Sequence, residues 1–207
     1  MYKRQGGYFD CSRYPQADSA VTAVCSALAC NDETELPFTE EGRAAAYLIT
    51  NIEGSSLHLP HLQHQLEDFD PDTQSRFVAG TVLPAHWYTR AQQVRRFYHD
   101  NAIEVFKDFD VLIAPATPCI APEMGQKWLT IGDDSVMLRP NMGYFTQPIS
   151  ALGAPSVVVP AFDEEAQKPI GVQIIAAPWR EDICLRVAHY LEQRGFVARL
   201  PAGLKKH

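Results

Sequence analysis

The sequence predicts an α/β fold, a mixed β-sheet flanked by helices, and three observations carry that reading. Two apolar runs, Ser156-Val-Val-Val-Pro160 and Ile170-Gly-Val-Gln-Ile-Ile175, are joined by a short, polar, acidic connector over 163–168. A third run, Asp110-Val-Leu-Ile-Ala-Pro115, has the same apolar character. Longer stretches before and after these runs repeat apolar residues at steps of three and four. Apolar runs of this length bounded by Pro and Gly read as strands buried on both faces. The connector folds the last two strands into an antiparallel hairpin, and Ala151, Gly153, Ala154 and Pro155 before it allow close backbone packing.

Each element follows in order. Gly6-Gly7-Tyr8-Phe9 reads as the end of a strand and the turn after it, with nothing before it to pair with. The expectation is therefore that this chain is the later part of a longer one. Ala17 to Cys30 is Ala-rich and helical, with Asp18 or Ser19 as N-cap. Glu33 to Pro37 is a short connector or edge strand. Glu40 to Glu53 forms a second helix whose apolar face holds Ala45, Leu48 and Ile52, and Gly54 is placed to end it. Asp70-Pro71 starts a third helix, with the aspartate as cap and proline at the first helical position.

Pro84 separates that helix from a longer one carrying Ala91, Val94, Tyr98, Ala102 and Val105 on one face. Arg90, Arg95, Arg96 and Asp100 form its solvated side. After the strand at 110–115, three prolines (Pro115, Pro118, Pro122) introduce a stretch read as irregular to about Met137, and long loops are usually functional or mobile. Asn141 to Leu152 is partly helical. Glu181 to Arg194 is an amphipathic helix with Cys184, Val187, Ala188 and Leu191 inward and Gly195 as its stop.

Composition narrows the function. A chain of 207 residues, 46% hydrophobic, can bury a real core, and one domain over 1–207 is the expectation. A net charge of -7 argues against nucleic acid or an anionic membrane as partner. No apolar run approaches the roughly 18–20 residues that span a bilayer. Five cysteines without metal-type spacing fit free thiols in a reducing cytoplasm.

Four constellations invite a chemical reading. His58, His61 and His64 are spaced by three, but the third lies far around a helix and Pro60 disturbs the register, so exposed or capping histidines fit better than a metal site. Ser55 and Ser56 have glycine on one side only, which suits a helix end better than a nucleophile. Cys119 has no basic neighbour in sequence to lower its pKa. Arg139, Asn141, Tyr144, Thr146 and Gln147 collect just ahead of the hairpin. They can line a pocket, with arginine holding a carboxylate bidentately, or they can simply hydrogen-bond the loop. Spacing leaves both open.

Three segments taken together go further. Asp110-VLIAPATPCIAP122, Thr146-QPISALGAPSVVVP160 and Pro169-IGVQIIAAPWREDICLRVAHYLE192 resemble the C-terminal half of the amidase signature family. The resembling features are an apolar strand ending in Pro-x-x-Pro, a TxPxNxxGxP-like segment, and a PxGxQ strand leading to a final helix. The Glu53-Gly-Ser-Ser56 stretch and Arg76-Phe-Val-Ala-Gly80-Thr81 fit as well, so the likeness covers roughly residues 6–195. EGSSLHLPHL and GVQIIAAPWRED look most like the branch that hydrolyses 1-carboxybiuret.

The resemblance implies the C-terminal part of the amidase signature fold and a hydrolase of C–N amide bonds that needs no metal and no organic cofactor. Family members use a Ser–cis-Ser–Lys triad with backbone N–H groups stabilising the oxyanion. The Gly-Gly-Ser-Ser-Gly-Gly type loop carrying those serines is not in this sequence, and none of its six lysines has that setting. The chain alone is therefore expected to be inactive, with the catalytic half outside it. The resemblance assigns substrate contact to Arg76, Arg139, Asn141, Tyr144 and Gln147. Arg76 matches a position that handles a substrate carboxylate in the amidotransferase branch. The implied partners are a small-molecule amide substrate and a small helical accessory subunit, with oligomerisation compatible. Two departures, Ser150 and Leu57 where the family has Asn, bear on substrate class. A non-catalytic binding module that kept the fold without the triad is the alternative, and a thiol hydrolase using Cys119 is a third.

Overall fold

The computed structural model describes residues 2–131, 133–162 and 168–199. Its core is a five-stranded sheet. Strand β1 (Tyr2–Gln5) lies between β2 (Glu33–Thr34) and β3 (Val111–Pro115), parallel to both. β3 pairs antiparallel with β7 (Pro169–Ala176), which pairs antiparallel with β6 (Ser156–Phe162). The spatial order is β2-β1-β3-β7-β6. The expected hairpin is present, and all of its connector except Lys168 lies outside the described residues.

Burial divides the hairpin unequally. Every residue of β3 is buried, and β7 is buried along nearly all its length. β6 was expected to be covered on both faces, but it is an outer strand that alternates in exposure, with Val158 half exposed. The outer position also explains Pro160, since an edge strand tolerates a residue with no N–H to donate.

Seven α-helices accompany this sheet among the described residues. α1 (Pro15–Ala27) packs on β3 and β7, and α7 (Glu181–Glu192) packs on β6 and β7. The face expected for α7 holds, with Cys184, Val187 and Leu191 buried. Pro15 rather than Asp18 or Ser19 opens α1, because Asp18 is turned to Arg4 on β1 (2.5 Å).

The long helices form a separate layer. α2 (Thr39–His64) packs against α3 (Pro71–Val82), α4 (Ala85–Ala102) and the short α6 (Gln147–Leu152). Asp70 caps α3 as expected, accepting from the Asp72 N–H at 2.8 Å.

Gly54 does not end α2, which runs ten residues further through Pro60 to His64. Tertiary packing overrides the local stop signal. Ser55 Oγ lies 2.6 Å from both the Asn51 and Phe77 carbonyls, where α3 crosses α2. Gly80 of α3 sits against Ser55 and the Asn51 carbonyl so closely that any Cβ there would overlap them. The Glu-Gly-Ser-Ser stretch is thus the middle of a helix crossing, not a helix end.

The segment after β3 is also more ordered than its prolines suggest. It contains an antiparallel pair, β4 (Trp128–Ile131) and β5 (Asp134–Met137), ahead of the short α5 (Leu138–Asn141).

Candidate functional site

The site is built on the first turns of α2, the segment after α5, and the turn that follows β1. Gly7 adopts the left-handed region (φ 57°), which turns the chain out of β1 and presents Tyr8. Tyr8 stacks on Tyr144, with ring centroids 4.5 Å apart and planes 10° from parallel. Its hydroxyl donates to the Tyr144 carbonyl at 2.9 Å. Burial and the neighbouring Tyr144 push the Tyr8 phenol well above its ordinary value, so it stays a neutral donor. Phe9, Tyr14 and Phe145 complete the aromatic cluster behind this pair.

On the other side stands α2. Arg43 places its guanidinium over the Tyr144 ring, 4.8 Å from the centroid, and its Nε donates to Gln147 Oε1 at 3.0 Å. One helical turn on, Tyr47 carries the guanidinium of Arg76 at 5.0 Å. Arg76 is oriented by Asn51, whose Oδ1 accepts from Nε at 3.2 Å and Nη2 at 2.9 Å. Tyr8, Glu40, Arg43, Ala44, Tyr47, Leu48, Pro140 and Tyr144 enclose a cleft of about 610 Å³. That volume suits a small organic molecule.

The residues expected at a site divide three ways. Tyr144 lines the cleft, Gln147 joins it through Arg43, and Arg76 joins it through Tyr47. Asn141 is turned to its own segment, donating to the Met137 carbonyl at 2.8 Å. Arg139 is occupied by carboxylates, with Nη2 3.0 Å from Asp70 and Nη1 2.9 Å from Asp72. It closes the start of α3 and leaves no free fork for a ligand. Thr146 bonds locally, to the Gly143 carbonyl.

Sequence reasoning did not single out Tyr8, Arg43 or Tyr47. Arg43 and Tyr47 lie four apart on one helix, a spacing that could have marked a shared face. Tyr8 reaches its partner across 136 residues, and no local signal announces that.

The other constellations take structural roles. The His58 ring meets Phe69, Phe77 and His61 edge to face, and among the described residues no three His, Cys, Asp or Glu side chains converge as a metal site. Cys119 is half-buried beside Met142, and burial raises its thiol pKa. No charged or basic group acts to lower that value, so its environment opposes a thiolate.

Gln173 of β7 connects the sheet to this region. Fully buried, it donates to the Pro115 carbonyl at 2.8 Å and the Phe145 carbonyl at 3.2 Å. It is the glutamine of the PxGxQ pattern, and it fixes the backbone next to Tyr144.

The family model described as Amidase matches residues 19–185. This chain belongs to the amidase signature family. It is 43% identical to AtzE, the 1-carboxybiuret hydrolase subunit of Pseudomonas sp. (strain ADP), covering 94% of this chain and 43% of that protein. It is 30% identical to a fatty acid amide hydrolase of Oryza sativa subsp. indica, covering 85% of this chain and 29% of the relative. The chain thus spans less than half the length of these relatives.

Among solved structures, one from a vestigial protein complex connected with the origins of an s-triazine catabolic enzyme superposes with a TM-score of 0.91. It is 42% identical, with 97% of this chain and 44% of that one covered. A 6-aminohexanoate cyclic dimer hydrolase shares the fold at a TM-score of 0.76 and 20% identity, over 93% of this chain and 44% of its own. Among the described residues no helix is long and apolar enough to cross a membrane.

Proposed function

We propose that this chain forms the substrate-pocket portion of an amidohydrolase that cleaves a C–N amide bond, with 1-carboxybiuret or a related urea or amide as substrate. The observation that carries this reading is the 43% identity, over 94% of the chain, to a protein that is part of a 1-carboxybiuret hydrolase. The cleft on α2 supports it, because tyrosine faces and oriented guanidinium groups suit a planar, polar molecule.

In this reading, Tyr144 and Gln147 shape the pocket wall and Arg76 serves the edge beside Tyr47. Arg139 and Asn141 hold the segment that carries Tyr144 instead of meeting the substrate. The Ser–cis-Ser–Lys triad lies outside this chain. A serine activated by lysine through the bridging serine attacks the amide carbonyl, and backbone N–H groups stabilise the oxyanion. Collapse of the tetrahedral intermediate expels the amine and leaves an acyl-enzyme, which water then hydrolyses. A small helical accessory subunit is the partner we assign, a choice supported by the solved relative that comes from a protein complex. The five free thiols fit a cytoplasmic setting.

The test is ammonium release from 1-carboxybiuret, measured for the 207-residue chain alone and joined to an amidase segment bearing the serine pair and lysine. No release alone and release when joined is the expected outcome. Turnover by the chain alone would overturn the placement of the triad. A folded, joined form without activity would leave the chain a binding module.

A further inference from the structure

We infer that the α2 cleft selects a planar molecule bearing a carboxylate, and that Arg43, a residue outside the set the family likeness points to, reads that charge. The inference rests on the reading of this cleft as the substrate pocket, and it concerns which substrates enter.

The arginines of this acidic chain are unequally occupied. Arg4, Arg13, Arg96, Arg139, Arg180 and Arg186 each lie within 4.0 Å of a carboxylate. Among the described residues neither Arg43 nor Arg76 has such a partner, and of these two only Arg43 lines the cleft. Its Nε is committed to the neutral Gln147 amide, and its plane is fixed over Tyr144. These contacts orient the guanidinium without neutralising it, and they leave the two Nη groups for a ligand. A planar fork held at one edge is arranged for bidentate contact with a carboxylate.

The rest of the lining is consistent with this. Tyr8, Tyr47 and Tyr144 supply aromatic surface, which favours a flat, conjugated body over a bulky aliphatic one. Glu40 lies in the same lining, one helical turn before Arg43. Its carboxylate can accept from an amide N–H of the ligand. Arginine, tyrosine faces and a single carboxylate together describe a small half-amide that carries both a carboxylate and N–H donors.

The probes are oxamate and oxamide, planar molecules that differ only in a carboxylate against a carboxamide, titrated calorimetrically into the full chain. Oxamate should bind about tenfold or more tightly than oxamide, the scale expected for hydrogen bonds to a charged group. Arg43→Gln should abolish that preference. Arg43→Lys keeps the charge without the fork, so it should retain part of it, and melting curves establish that each variant is folded. Equal binding of the two probes, no binding of either, or an undiminished preference in folded Arg43→Gln would overturn the inference. Hydrolysis is not read here. Equal binding of the two probes by the unsubstituted chain therefore counts against this inference alone, whereas discrimination without turnover in the joined form counts against the amidohydrolase reading.

Discussion

Arg139 and Arg43 both reach the segment that carries Tyr144, yet their surroundings differ in kind. Arg139 bridges Asp70 and Asp72 at the start of α3, with its charge matched and its side chain open to water. Arg43 faces a neutral amide and an aromatic ring, with no carboxylate within 4.0 Å among the described residues. A charge already matched at the surface serves the scaffold and contributes little, because water and salt screen it. A charge oriented but unmatched is poised for a ligand. The same contrast separates the α2–α3 crossing, which is structural, from the cleft one turn away.

The largest expected effect lies at that crossing. Gly80→Val would force side-chain atoms into Ser55 and the Asn51 carbonyl. Overpacking of this kind should cost about 3 kcal/mol in urea denaturation. Because Arg76 is held by Asn51, the variant should also disturb the Tyr47 edge of the cleft. An unchanged midpoint would show that the two helices part freely.

Next comes the link between sheet and cleft. Gln173→Leu removes the donor to the Pro115 and Phe145 carbonyls inside the core. Leaving them unpaired should cost about 2 kcal/mol. The Tyr144 segment should loosen with it, seen as faster amide exchange over residues 143–147. A loss of stability without that exchange change would confine Gln173 to the sheet.

The smallest effect belongs to Arg139, and its pH dependence fixes the sign. Arg139, with the Asp72 N–H, holds the Asp70 carboxyl below its ordinary value of 3.8. A lowered folded-state value means the contact contributes above about pH 3.8 and is lost as the pH falls through the lowered value. Arg139→Gln should lower the melting temperature only slightly at neutral pH, and the two curves should converge in acid. A large loss at pH 7, or a difference that grows in acid, would contradict a surface role.

Much of the fold was legible in the sequence because its signals were local. The runs at 110–115, 156–160 and 170–175 became β3, β6 and β7, Asp70-Pro71 began α3, and Gly195 followed the last helix with a positive φ of 93°. Expectation failed where a distant partner changed the outcome. Gly54 stayed inside a helix because α3 crosses there, and the prolines after β3 did not prevent a β4–β5 pair.

The cleft was legible in half. Tyr144, Gln147 and Arg76 stood out by residue type and by likeness to the family, but what each would touch was not written locally. Sequence by itself determined the family, the strand and helix types, and a pool of polar residues near 139–147. Tertiary structure alone decided that Arg139 is matched by carboxylates while Arg43 is held by an amide and a tyrosine ring. The physical reason is range: propensity, capping and periodicity act within a few residues, whereas the Tyr8 bond to Tyr144 spans 136 and the Arg43 bond to Gln147 spans 104.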